Sequence, residues 1–500
     1  MLFRNVLAFI CCFLAGGLLA AQDFGFSFDD ESTLKPGSSG KLSASVGGEV
    51  STSIIGYIED MTDGADHINT REMFALMGKL NFSALTSFAE GAINLKFVPA
   101  LIPVSIDEAF IRAFFGGFEL TAGLLKLSWG KADQLGPLDV INLPDTSKLF
   151  IEMADNTSLM NVKVANPVVH ASYRFGKYSK MEFAFLPSFD IVGAAIQSAV
   201  TPMAENDPMA LLIGSTTARW IPKQMEELSK TLASGTALVM PGYSMLDHAQ
   251  AGLRFTSSIG NADFGAQYFF GRMYQPAVKA TIKQVKFDDP DFDPSNFPTP
   301  KLELLFNNYH QFGFDYAHVL WGFNIRAEIA ANLTYDFQGI DSFTYNPSIA
   351  WSLGFDRNLF LGINLNFQVN ETIRLLDSKV GKSKDLFILP TEIDPAMKNN
   401  PDYDIEAESS ITATRITAIL SRKFMRDELE LRTAVVWGVE GRVIDGKWNG
   451  GDAAIIPALI WTKDDLRTAL SGCFFVGDPE GQLGQYAINN FLKISVAYVF

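Results

Sequence analysis

Apolar and polar residues alternate with a period of two over long stretches of this chain. The longest run lies between Phe323 and Phe337. Phe323, Ile325, Ala327, Ile329, Ala331, Leu333, Tyr335 and Phe337 form one face, and Asn324, Arg326, Glu328, Asn332, Thr334 and Asp336 form the other. This period predicts a strand with one apolar and one wet side. A strand of about fifteen residues is far longer than the ~5–6 usual in soluble proteins, and it suits a tilted crossing of a bilayer. The pattern recurs at Leu361–Asn370, Leu429–Trp437, Phe74–Phe82, Gly91–Phe97, Phe183–Phe189, Ala249–Phe255 and Phe264–Phe270. Segments near Ile456 and Cys473 are apolar on both faces, so the pattern leaves their direction open.

The connections alternate in length. Short ones fall near Gly116-Gly117, Gly176-Lys177, Gly260-Asn261, Trp321-Gly322, Arg357-Asn358, Arg426-Asp427 and Asp464-Asp465. Long ones fall at 58–70, 130–160, 191–247, 276–308, 376–408, 441–452 and 479–490. Short turns on one side and long loops on the other predict an all-β, transmembrane, antiparallel up-and-down β-barrel of about 18 strands, with 16 as the next even count. A soluble propeller or sandwich would give neither this parity nor strands of this length. A barrel of this size holds water unless something fills it.

Met1 to Ala21 reads as a secretory signal peptide: Arg4 in the n-region, an apolar stretch from Val6 to Leu19, and small residues before Gln22. Residues 22–40 form a short tail and 41–500 a single barrel. Cys11 and Cys12 lie inside the apolar stretch, so the mature chain keeps only Cys473 and no internal disulfide. No mature run approaches 18 apolar residues, which excludes helical spans.

The last ten residues, FLKISVAYVF, place Leu492, Ile494, Val496, Tyr498 and Phe500 on one face. Lys493, Ser495 and Ala497 lie on the other. This amphipathic strand with its terminal aromatic resembles the closing strand of bacterial outer-membrane barrels. The resemblance implies that Tyr498 and Phe500 belong to a signal read by the outer-membrane assembly machinery. The run Leu127-Ser128-Trp129-Gly130, followed by Asp139-Val140-Ile141-Asn142-Leu143-Pro144-Asp145, resembles a motif of a poorly characterised Gram-negative barrel family. With its acidic start QDFGFSFDDES, the chain also resembles treponeme-type, spirochete-like outer-membrane proteins. Loop parity then puts both termini in the periplasm and the long loops outside the cell.

Hydrophobic residues make up 48% of the chain, yet they are dispersed rather than massed. The formal charge of −16 excludes the basic footprint of a nucleic-acid binder. Five histidines are present, none in a nucleophile elbow, zinc or phosphate-loop motif, so the expectation is a non-enzyme without cofactor.

Alternation turns Glu90, Lys96, Glu108, Arg112, Arg254, Asp315, Arg326, Glu328, Arg415, Glu430 and Arg432 toward the lumen. These read either as pore-lining charges or as ladders bracing the wall. By analogy with porins, an inward fold of loop 130–160 would place Lys131, Asp133, Asp139, Asn142 and Asp145 at a constriction, while Trp129 would anchor the rim at the membrane interface. In loop 191–247, Pro222, Met225, Leu228 and Leu232 predict a short amphipathic helix ending near Gly235. Asp289, Asp291 and Asp293 carry the oxygen ligands calcium prefers, but lack the Gly and Glu of an EF-hand; a solvated loop is the competing reading.

The functional expectation is a porin-like channel passing small solutes, set in outer-membrane lipid, with the doubly apolar strands marking a trimer contact. The alternatives are a conduit for hydrophobic or lipid-like molecules, and an adhesin using loops 191–247 and 376–408.

Overall fold

The computed structural model describes residues 42–58, 68–97, 104–142, 144, 146–155, 162–188, 237–239, 246–273, 277–281, 301–338, 344–376, 412–439, 443–444, 447–448, 450–477 and 483–500. The signal sequence, the tail, the expected helix near 222–233, the acidic run 288–293 and Asp145 lie outside them, as does most of loops 191–247 and 376–408.

Eighteen strands form one sheet. They are β1 (Ser43–Ile58), β2 (Ile68–Leu85), β3 (Ala89–Phe97), β4 (Ser105–Phe115), β5 (Phe118–Leu125) and β6 (Asn166–Phe175). Next come β7 (Ser179–Leu186), β8 (Gln250–Ile259), β9 (Ala262–Arg272), β10 (Asn308–Leu320), β11 (Phe323–Thr334) and β12 (Ser348–Asn358). The series ends with β13 (Ile363–Arg374), β14 (Thr412–Phe424), β15 (Leu429–Gly438), β16 (Asp452–Lys463), β17 (Leu466–Gly477) and β18 (Phe491–Val499). Each pairs antiparallel with its chain neighbours, and β18 returns to β1 from Glu49↔Val499 to Tyr57↔Phe491, closing the barrel. Closure leaves no unpaired sheet edge, the condition for strands in hydrocarbon. Short turns gather at one end, with both β1's start and Phe500; the longer connections gather at the other.

The two faces separate as the alternation requires. In β11, Ile329 is 49% exposed on the outer wall while its neighbour Glu328 is 4% exposed on the inner one. In β18, Leu492, Ile494, Val496 and Tyr498 are exposed outside and Lys493 is buried inside. A register shift at Asn94/Leu95 puts a bulge in β4. It turns Asp107, beside outward Ile106, to the inner wall, where it meets Lys96 at 2.5 Å and Lys126 at 2.8 Å.

One expectation changes. Trp129 is not at the lipid interface: it is 3% exposed inside the barrel, with Leu125, Ile141, Val168, Leu186, Phe269 and Tyr309. The doubly apolar strands β16 and β17 have a local reason for their second apolar face. A helix, α1 (Thr146–Asp155), and a short 3-10 turn at Gly484–Asn489 cover it from within.

Candidate functional site

Between β5 and β6 the chain leaves the wall and folds into the barrel as two arms. The first arm, 126–142, lies against the inner faces of β8 to β13. The Glu328 carboxylate holds it by its backbone: Oε1 accepts the N–H groups of Lys131 and Ala132, the latter at 2.7 Å, and Oε2 accepts that of Leu138 at 3.3 Å. Neutral amides of neighbouring strands complete the seat. Gln267 and Gln311 donate to the carbonyls of Leu138 and Pro137 at 2.9 and 3.0 Å. Gln368 accepts from the Gln134 N–H at 3.0 Å and donates to the Leu135 carbonyl at 3.2 Å. A non-helical arm inside a barrel needs such partners, because its peptide groups have none of their own.

Glycines make room for it. A Cβ on Gly252 would stand 2.6 Å from the Trp129 ring, and one on Gly313 would overlap the Leu138 side chain.

At the tip, Asp133 pairs with Arg326 and accepts from Asn366 Nδ2 at 2.9 Å. Arg326 also meets Asp356 at 2.7 Å, and Lys131 lies 3.5 Å from Asp263. Burial raises the Asp133 carboxyl above the usual aspartate range, against the opposing pull of Arg326. Behind the arm, Arg254 donates to Asp315 and to Gln267, each at 2.6 Å. Asp315 and Glu328 face each other across β10 and β11.

The base of the insert is clamped by Asn142, which is fully buried. Its Oδ1 accepts the Leu127 N–H at 2.7 Å, and its Nδ2 donates to the carbonyls of Leu125 and Val164 at 2.8 and 2.7 Å. Asp139 forms a buried ion pair with Lys163. Burial raises the Asp139 carboxyl, outweighing the Lys163 charge.

The second arm is α1, which lies against the inner faces of β16 and β17. Leu149, Phe150, Met153 and Ala154 recur at helical spacing and pack on Ile456, Cys473, Phe475 and Ile55. Phe150 meets Phe475 edge-on at a centroid distance of 5.0 Å. Arg432 closes the helix, donating to the carbonyls of Met153 at 3.1 Å and Ala154 at 2.9 Å, the helix end that carries partial negative charge. Arg326 and Arg432 are each the fourth residue of a strand that starts at a short turn. Both arms therefore reach deep toward the short-turn end.

The structure thus brings together Lys131, Asp133, Arg326, Glu328 and Asp315 at the first arm. It assigns Asp139 and Asn142 to the base and Arg432 to the second arm. Glu108 holds the entry to the insert, with Oε1 accepting the Lys126 N–H at 2.9 Å and Oε2 accepting Asn94 Nδ2 at 3.2 Å. Arg112 stands apart, bonded to Thr121 at 3.2 Å and Glu90 at 3.1 Å. Glu430 lies opposite Lys423, and Arg415 opposite Gly438, on the inner face. Phe500 exchanges backbone hydrogen bonds with Gly48 at 2.8 and 2.9 Å, and its ring stacks on Tyr498. Gln267, Gln311, Gln368 and Lys163 carry the docking, although none of them is among the inward residues read as pore-lining. Asp107 was hidden by the bulge. Among the described residues, no group of three or more His, Cys, Asp or Glu is placed to hold a metal ion, and no helix is long and apolar enough to cross a membrane.

No family model and no curated protein matches the chain. Solved structures of similar form include Pseudomonas aeruginosa OpdQ, 9% identical over 91% of this chain and 98% of that one, TM-score 0.47. The outer membrane channel DcaP of Acinetobacter baumannii is 10% identical over 93% and 99%, TM-score 0.39. A BenF-like porin from Pseudomonas fluorescens Pf-5 is 6% identical over 91% and 98%, TM-score 0.45. The barrel assignment rests on this chain's own strand register, and these likenesses stand beside it.

Proposed function

We propose that this protein is an outer-membrane channel that lets small solutes diffuse through an aqueous lumen narrowed by the two-armed insert between β5 and β6. The observation that carries the reading is the Glu328 carboxylate, which binds three backbone N–H groups of the insert from the far wall. An eighteen-strand barrel is wide enough for water. A segment fixed across that width sets what fits past it, and the charges at its tip act on whatever passes. Lys131, Asp133 and Arg326 are the residues assigned to this constriction; Asp139 and Asn142 hold its base. In this reading the short turns and both termini are periplasmic, the long loops extracellular, Met1–Ala21 directs export, and Tyr498 and Phe500 serve barrel assembly.

Planar bilayers test the proposal. Purified protein should give discrete conductance steps, and removal of residues 130–138 should enlarge each step. A heat-modifiable, correctly inserted barrel that carries no current would overturn the channel reading.

A further inference from the structure

The outer wall at the short-turn end carries two arginines amid apolar residues. Arg357 of β12 lies over the Phe323 ring at 4.1 Å, and Arg422 of β14 over Phe424 at 4.7 Å. Both point outward. Arg357 follows the inward Asp356, and Arg422 is in register with Leu431, which is 51% exposed on the lipid face. Arg357 aligns with Leu365 of β13 and Arg422 with Ile363 of the same strand, so the pair straddles β13 with a two-residue offset. Strand spacing and rise put their Cα atoms roughly 12 Å apart, within reach of two extended arginine side chains on one anion once Arg357 swings off the Phe323 ring of β11. Neither has an ion-pair partner among the described residues.

The turns of this sector are also unusual. Trp321, Leu361 and Met425 adopt left-handed backbone (φ 51°, 60° and 52°), where bulky side chains are strained. The same three residues, with Phe360, are 65–85% exposed. Trp321 occupies a two-residue hairpin position that Asn or Gly fills without cost. Strained backbone of this kind clusters at sites that hold a ligand, and here it carries exposed apolar side chains in three neighbouring hairpins.

We infer that this sector binds the phosphate of an anionic glycerophospholipid, with Arg357 and Arg422 on the headgroup and Trp321, Phe360, Leu361 and Met425 seated in the interface. Guanidinium groups favour phosphate through paired N–H donors. Flanking aromatics settle at headgroup depth. The inference rests on the membrane reading above and deepens it, since it names a lipid for the leaflet at the short-turn end.

The full barrel, reconstituted in nanodiscs of phosphatidylcholine containing a minor fraction of phosphatidylglycerol and released for native mass spectrometry, tests it. The wild type should retain phosphatidylglycerol in preference to phosphatidylcholine. The double variant Arg357→Gln/Arg422→Gln should weaken retention by about twenty-five-fold, fivefold per arginine. Inorganic phosphate should not displace the lipid. Equal retention by the variant, no preference in the wild type, or displacement by free phosphate would each overturn the proposal. A wild-type chain that fails to enter the discs as a heat-modifiable barrel removes the membrane reading as well. Entry without lipid preference removes this inference alone.

Discussion

The Arg432 guanidinium, on the barrel wall, donates to the Ala154 carbonyl at the end of α1 at 2.9 Å, joining residues 278 positions apart. Arg432 is 3% exposed, so this contact is made away from bulk water. It ties the second arm of the insert to β15, apart from the strands that seat the first.

Replacing Arg432 with Met should free that arm. Hydrogen bonds from a charged group to the last helical carbonyls contribute about 1.5–3 kcal/mol each in net terms, so the helix should leave its seat while the strands remain paired. Single-channel recording should show larger, noisier steps, with the heat-modifiable gel shift intact.

Glu328→Ala should release the first arm. Three backbone N–H groups would lose their acceptor, at about 1–3 kcal/mol for each that stays buried. Limited proteolysis should cut within 130–138 in the variant and not in the wild type. Glu328→Gln, which keeps one acceptor oxygen, should lie between them.

Gly252→Val should displace Trp129. A Cβ there would sit 2.6 Å from the indole, against the wall rather than in open lumen. The indole should move to a wetter environment, read as a red-shifted emission. The shift should vanish when the same change is made in a Trp129→Phe background.

Acidification should change ion preference. Burial raises the Asp133 carboxyl, so the docked protein takes up this proton above the usual aspartate pKa. As pH falls through that window, Asp133 loses its charge and Arg326 loses one of its two carboxylate partners. The tip becomes more positive, and reversal potentials should move toward anion preference. The linkage has a definite sign: a raised folded pKa means that proton uptake favours the docked arm, and this contribution fades as pH rises through the raised pKa. Asp133→Asn should be anion-shifted at neutral pH and insensitive over that window.

The strands were readable because a period of two is a local property. Phe323 to Thr334 needs only its own alternation to show which side is wet, and loop parity needs only strand order. The helix at Thr146–Asp155 is also written locally, in the helical spacing of Leu149, Phe150, Met153 and Ala154, but it is one short amphipathic stretch within a long connection between strands. The Asp107 bulge was not readable, because one extra residue changes the facing of a side chain without changing composition.

The local pattern therefore suffices for a closed barrel of about eighteen strands and, in the strands that alternate without a bulge, for which side chains turn inward, since pleat and pairing follow from nearest neighbours. What those inward residues do depends on the folded path of the insert. Glu328, Gln311 and Arg432 look alike as inward polar residues; one seats a loop by its peptide N–H groups, one by a carbonyl, and one closes a helix. Trp129 reads as an interface aromatic until Gly252 is seen to leave space for it inside, beside Phe269. These roles depend on contacts between residues one to two hundred or more positions apart, where the chain's path through the barrel, and no local pattern, sets the partner.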